Sequence, residues 1–127
     1  MNLGMARLHD DLARQDAALH PEQRRAVWEH PVHSEEMLRR LGVADAAWLE
    51  LVRDHHELAG GLGYPAGRTE ISDAAQLLRM TDIYVARISP RHTRSGLSSA
   101  RAARDVYLDA SGAPTPLGVV FIKALGL

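Results

Sequence analysis

Between Ser72 and Ile88 the apolar positions Ala74, Leu77, Leu78, Thr81, Tyr84, Val85 and Ile88 recur at helical spacing, capped at the start by Ser72 or Asp73 and stopped by Ser89-Pro90. Nearly every other segment repeats this pattern, and no strand-like alternation runs beyond a few residues. Leu8, Leu12 and Leu19 mark an early helix. His20-Pro21-Glu22-Gln23 is a helix start, with Pro at the first helical position and an acid in the first turn. That helix is expected to reach Glu29 and to break at His30-Pro31, because proline disfavours helix in the residue before it. Ser34 then reads as an N-cap for a helix ending at Gly42, and Asp45 as the cap of a helix leading through Trp48, Leu49, Leu51 and Val52 to His55. Residues 57–72 are a glycine-rich loop. Residues 91–98 form a basic loop, Ser99 to Leu108 a further helix, 111–116 a turn, and Leu117 to Leu125 a last apolar helix. The fold class is therefore all-α, a compact bundle of about six helices. Aromatic residues make up only 5% of the chain, so the core is expected from Leu, Ala, Val and Ile, with Trp28, Trp48 and Tyr84 filling it.

A length of 127 residues predicts a single domain spanning 1–127. A net charge of −1 lacks the basic excess of a duplex-binding surface, so no DNA partner is expected. Without cysteine there are neither disulfides nor thiolate metal sites, which suits a cytoplasmic setting. No apolar run has the length of a membrane span, and the N-terminus lacks the layout of a signal peptide.

Chemistry concentrates at His55-His56-Glu57 and the glycine-rich loop behind it. Neighbouring residues of a regular helix project roughly 100° apart, so the two imidazoles would not easily grip one ion from one. They could serve two ions, or one could ligate while the other packs. His30 precedes a proline that can aim its ring inward. Asp82 sits within an apolar pattern, where a carboxylate is costly unless paired or metal-bound. Such nitrogen and oxygen donors suit Fe, Mn, Zn or Mg. Two such ions close together can activate water and hold both oxygens of a phosphodiester displacement.

The ordered series His30-Pro31, His55-His56-Glu57, Gly63-Tyr64-Pro65, Asp82 four residues before Ala86, then Arg91, resembles the HD-GYP domain. That is a branch of the HD metal-dependent phosphohydrolases that hydrolyses cyclic di-GMP, and the resemblance covers nearly the whole chain. It implies that His30, His55, His56 and Asp82 are ligands to a divalent metal such as Fe or Mn. It implies that Arg91 and Arg94 contact nucleotide phosphates. Gly63, Tyr64 and Pro65 match the loop tied to substrate binding and to partner domains, notably diguanylate cyclase domains.

The chain departs from the family in several places. A gapless register puts the defining His-Asp pair on Met1-Asn2, with Gly4 at the glycine that follows and Met5 at the lysine. The other register uses His9-Asp10 and requires a deletion. After Glu57, the family's cationic, aromatic and acidic residues read Leu58, Ala59 and Gly60. An arginine before Asp82 reads Gln76, and an acid after it reads Val85. The bounds resemble a domain truncated at both ends. The function expected from the resemblance is a degenerate, catalytically impaired HD-GYP-like module that binds cyclic di-GMP or a signalling partner. The alternative is an active two-metal cyclic di-GMP phosphodiesterase.

Overall fold

The computed structural model describes residues 1–91, 95–108 and 112–127. The helices are α1 (Ala6–Arg14), α2 (Pro21–Arg40), α3 (Ala46–Asp54), α4 (Asp73–Ile88), α5 (Ser99–Tyr107) and α6 (Pro116–Ala124), and a 3₁₀ turn, Leu3–Met5, precedes α1. Among the described residues there is no strand beyond an isolated bridge between Leu108 and Pro114, so the all-α expectation holds. No helix of the described residues is long and apolar enough to cross a membrane. The helices divide into two units, Met1–Ala75 and Gln76–Leu127.

In the first unit α2 is the longest element, and it corrects the expected break. It runs unbroken through Pro31 for 20 residues. An interior proline costs roughly 3 kcal/mol because it removes one N–H and crowds the preceding turn. The carbonyl left without that donor is Val27, four residues back. It accepts instead from His30 Nδ1 at 2.5 Å, and Pro31 itself is buried. Ser34 therefore does not cap a helix. It lies inside α2, fully buried, and its Oγ accepts from the Gly4 N–H at 2.9 Å. A Cβ on Gly4 would lie 2.7 Å from the His30 carbonyl oxygen and 3.0 Å from His33 Cβ, so only glycine lets the N-terminal turn lie this close to α2.

The start of α2 is built as expected. The Gln23 side chain accepts from the His20 N–H at 2.9 Å and exchanges amide hydrogen bonds with Gln15, tying the end of α1 to the start of α2. Leu38 of α2 packs with Leu49 and Val52 of α3, and Val43 closes the cluster. Glu35 bridges the same helices, 2.7 Å from Arg39 and 3.8 Å from Arg53. Asp45 caps α3 through the Trp48 N–H at 2.9 Å, as its position predicts. Trp28 and Trp48 are not core residues: they remain 56% and 50% exposed. Helical period alone does not say which edge of an apolar stripe reaches solvent, and here Leu38, Leu49 and Val52 fill the space between α2 and α3.

In the second unit Met80 of α4, Val106 of α5 and Phe121 of α6 form the core, with Leu77, Ile83, Tyr84, Leu117 and Leu125 packed around it. Tyr84 meets Phe121 edge-on at 5.8 Å, so the third aromatic expected in the core does pack there. Ser98 and Thr115 cap α5 and α6, and Arg87 pairs with Asp105 at 2.5 Å. Leu49→Ala should lower the stability of the first unit by about 2–5 kcal/mol in urea unfolding, because it empties a fully buried contact between α2 and α3. A loss under about 0.5 kcal/mol would contradict that core.

Candidate metal centre

His30 comes from the middle of α2, whereas His55 and His56 follow the last residue of α3. The helix ends at Asp54 and His55 is its C-cap, so the spacing of a regular helix does not apply to the pair. Their rings converge, with centroids 4.1 Å apart, and His30 stands 5.2 Å from His55 and 5.0 Å from His56. One ligand nitrogen from each of the three lies within 4.8 Å of the others. His30 and His55 are essentially inaccessible to solvent, and His56 is partly so.

Two backbone carbonyls set the tautomers. His30 Nδ1 donates to Val27 at 2.5 Å, and His55 Nδ1 donates to Val52 at 2.6 Å. Each ring therefore presents the lone pair of Nε2, and these two atoms lie 3.3 Å apart. Two lone pairs at that distance repel unless a proton or a metal cation lies between them. Two imidazole nitrogens on one ion, each about 2.0–2.1 Å from it at a near-tetrahedral angle, stand about 3.3 Å apart. The separation thus fits a shared ion, and an Nδ1–H held by a carbonyl is the usual support of a ligating histidine. Imidazole donors suit Zn and Fe.

Tyr64 stacks on His56, with centroids 4.7 Å apart and planes 15° from parallel. Trp28 stacks on the same tyrosine at 5.0 Å. Tyr64 also donates its backbone N–H to the His56 carbonyl at 3.2 Å. The loop reaches this position because Gly63 has no side chain. A Cβ there would sit 2.1 Å from the Leu58 nitrogen and 2.5 Å from the Glu57 backbone.

Glu57 has a role that sequence reading did not assign. Its side chain is fully buried, and its two oxygens accept from the backbone N–H of Ala66 at 2.6 Å and of Arg68 at 2.9 Å. The carboxylate next to the histidines is therefore committed to holding the loop. Asp54 is buried as well, 3.0 Å from Arg53 Nε and 3.2 Å from Arg68 Nε, the second contact lacking the alignment of a hydrogen bond. The hydrogen bond that Arg53 donates to the Asp54 carboxylate raises the guanidinium above its already high range, against the opposing effect of burial.

The structure brings together His30, His55 and His56, with Tyr64 against them. Gly63 and Pro65 flank Tyr64 as expected, Gly63 acting through close backbone approach. Asp82 lies in the middle of α4, half-buried, in the second unit, and Arg91 is exposed. Arg94 lies outside the described residues. His9 and Asp10 are exposed on α1, so the register that places the defining pair there finds no support. Met1 and Asn2 are exposed too, and Gly4 occupies a position that demands glycine. A sequence signal for the His30 geometry did exist: a proline directly after a histidine releases the carbonyl that the ring can take.

The family profile of the HD domain matches residues 1–111. The chain belongs to the HD-domain family. HD domains are metal-dependent phosphohydrolases that bind divalent metals, and the histidine cluster has donors and spacing that fit such an ion. The match includes the 3₁₀ turn that docks on α2. No curated protein sequence matches the chain.

Glu57→Ala should destabilise the protein by about 2 kcal/mol or more in urea unfolding and open residues 57–72 to proteolysis, because two backbone donors lose their acceptor. Glu57→Gln keeps one acceptor oxygen and should cost less. A neutral effect of the alanine change would show that the loop does not depend on this carboxylate.

Proposed function

We propose that this HD domain is of the HD-GYP type and acts in cyclic di-GMP signalling as a catalytically impaired module that binds nucleotide or a partner such as a diguanylate cyclase domain. The carrying observation is the pair of carbonyl-anchored imidazoles whose Nε2 atoms lie 3.3 Å apart, placed beside a Gly-Tyr-Pro loop. His30, His55 and His56 would hold the metal, which when bound supplies Lewis-acid polarisation of a phosphoryl oxygen and acidification of water. Asp82, Arg91 and Arg94 enter the reading through the resemblance alone. Impairment is supported by the donors. The clustered ligands are neutral imidazoles, Glu57 is spent on the loop, and Met1-Asn2 offers neither imidazole nor carboxylate where the gapless register puts them. A cation surrounded by neutral donors leaves charge that a bridging carboxylate would have offset.

The active phosphodiesterase is the second reading, favoured by the preserved aim of His30 and His55. Titration of chelator-treated protein with Mn²⁺ or Fe²⁺, followed by assay of cyclic di-GMP binding and turnover, separates the two. The expected result is a single bound ion, nucleotide binding and no turnover above the metal blank. Two ions per chain with sustained hydrolysis would overturn impairment. Absence of any metal binding would remove the metal centre itself.

His30→Ala or His55→Ala should weaken metal binding by more than the roughly 10- to 100-fold typical of losing an outer-shell partner. Pro31→Ala should weaken it by up to about 10-fold without removing a ligand. The restored N–H at residue 31 competes with His30 Nδ1 for the Val27 carbonyl. Unchanged affinity in Pro31→Ala, measured calorimetrically, would show that this carbonyl does not set the His30 tautomer.

A further inference from the structure

We infer that the open face of α5 and α6 is a docking groove for an amphipathic helix of a partner protein, one with carboxylates along the edges of its apolar stripe. The groove measures about 410 Å³. One wall is α5, through Ala100, Ala103, Arg104 and Tyr107. The other is α6, through Val119, Ile122 and Lys123. Residues 100, 103, 104 and 107 stand at i, i+3, i+4 and i+7, the spacing of one helix face, and 119, 122 and 123 repeat its start. α5 sends Val106 and α6 sends Phe121 into the core of this unit, so the two groove-lining faces are additional to that core. Leu127 lines the groove too and stays 54% exposed, which leaves apolar surface uncovered here.

The walls are held in place before any partner arrives. A Cβ on Gly118 would lie 2.7 Å from the Tyr107 carbonyl oxygen and 3.0 Å from Tyr107 Cα, and the same carbonyl accepts from the Thr115 N–H at 3.1 Å. A groove fixed in this way lowers the ordering cost of binding. α5 and α6 have 9 residues each, so at 1.5 Å per residue the walls are about 13 Å long. That matches about two and a half turns of a partner helix, room for apolar anchors at i, i+3, i+4 and i+7. Charge selects the kind of helix. Arg104 and Lys123 put one cation on each wall. Both are exposed, no Asp or Glu side chain lines the groove, and among the described residues neither cation takes part in an ion pair or a side-chain hydrogen bond. The neighbouring Asp105 is taken by Arg87. Cations beside an apolar floor complement a stripe edged by Asp or Glu and repel one edged by Lys or Arg. A bilayer surface is flat and does not fill a concave groove, so the shape favours a helix over lipid. The groove belongs to the second unit and uses none of the clustered histidines, so it stands or falls apart from the metal reading.

The test uses the full chain and a fluorescein-labelled, amidated peptide of about 16 residues, long enough to be helical. The peptide carries Leu at i, i+3, i+4 and i+7 with Glu on both flanks, and a second peptide has Lys in place of every Glu. Anisotropy should rise saturably with the Glu peptide, and its affinity should fall as salt is raised. The Lys peptide should bind at least about 10-fold more weakly. Arg104→Gln with Lys123→Gln should weaken the Glu peptide about 2- to 30-fold. Ala100→Trp, at an exposed position, should fill the groove and abolish saturable binding while the helical circular dichroism is kept. Equal affinity for the two peptides, no saturable binding of the Glu peptide, or unchanged affinity in the Gln pair overturns the inference. Sedimentation that shows the parent chain as a dimer and Ala100→Trp as a monomer overturns it too, because a second copy would then fill the groove. So does flotation with phosphatidylglycerol vesicles that Ala100→Trp abolishes, because the face would then serve a membrane.

Discussion

The centre depends on two hydrogen bonds from histidine Nδ1 to helix carbonyls. His30 takes the Val27 carbonyl and His55 takes that of Val52, and each bond turns an imidazole so that its Nε2 faces the other ring. Neither acceptor is accidental. Val27 is available because Pro31 has no N–H to give it, and Val52 lies in the last turn of α3, where helix carbonyls run out of backbone donors. Local defects in two helices thus supply the acceptors that aim the two candidate ligands at one another.

Around this pair the chain spends its polar groups on shape. Glu57 holds the glycine-rich loop by accepting two backbone N–H groups, and Gly63 allows the loop to fold onto the turn behind the histidines. The loop then lays Tyr64 flat on His56. Each Glu57 oxygen is engaged by a backbone N–H, so the shape of the loop depends on a carboxylate that lies next in sequence to the histidines. Gly4 makes a comparable contribution at the other side of His30. Its missing side chain lets the N-terminal turn seat against α2 and hand its N–H to Ser34.

Much of the fold was legible from periodicity and end signals. The starts of α2, α3, α4 and α5 lie within a residue or two of the Pro, Asp and Ser signals that predict them, because capping is a local interaction. The exception is instructive. His30-Pro31 reads as a break under the local rule, yet α2 continues, since burial of the proline and the His30 ring bond offset a cost of only a few kcal/mol. Trp28 and Trp48 fail for a related reason. Helical spacing places a residue on a stripe, but only the partner helix decides which edge of that stripe is covered.

The sequence by itself determined the helical architecture, the histidines that the structure brings together and membership of the HD-domain family, because helix caps, apolar period and an ordered motif are properties of neighbouring residues. It could not say that His55 and His56 converge with His30, since that requires α3 to end at Asp54 and pack against α2 through Leu38, Leu49 and Val52. It also could not say that Glu57 serves the loop rather than a metal. Residues 57, 66 and 68 meet only when the loop closes, and contacts that depend on closure are decided by tertiary structure alone.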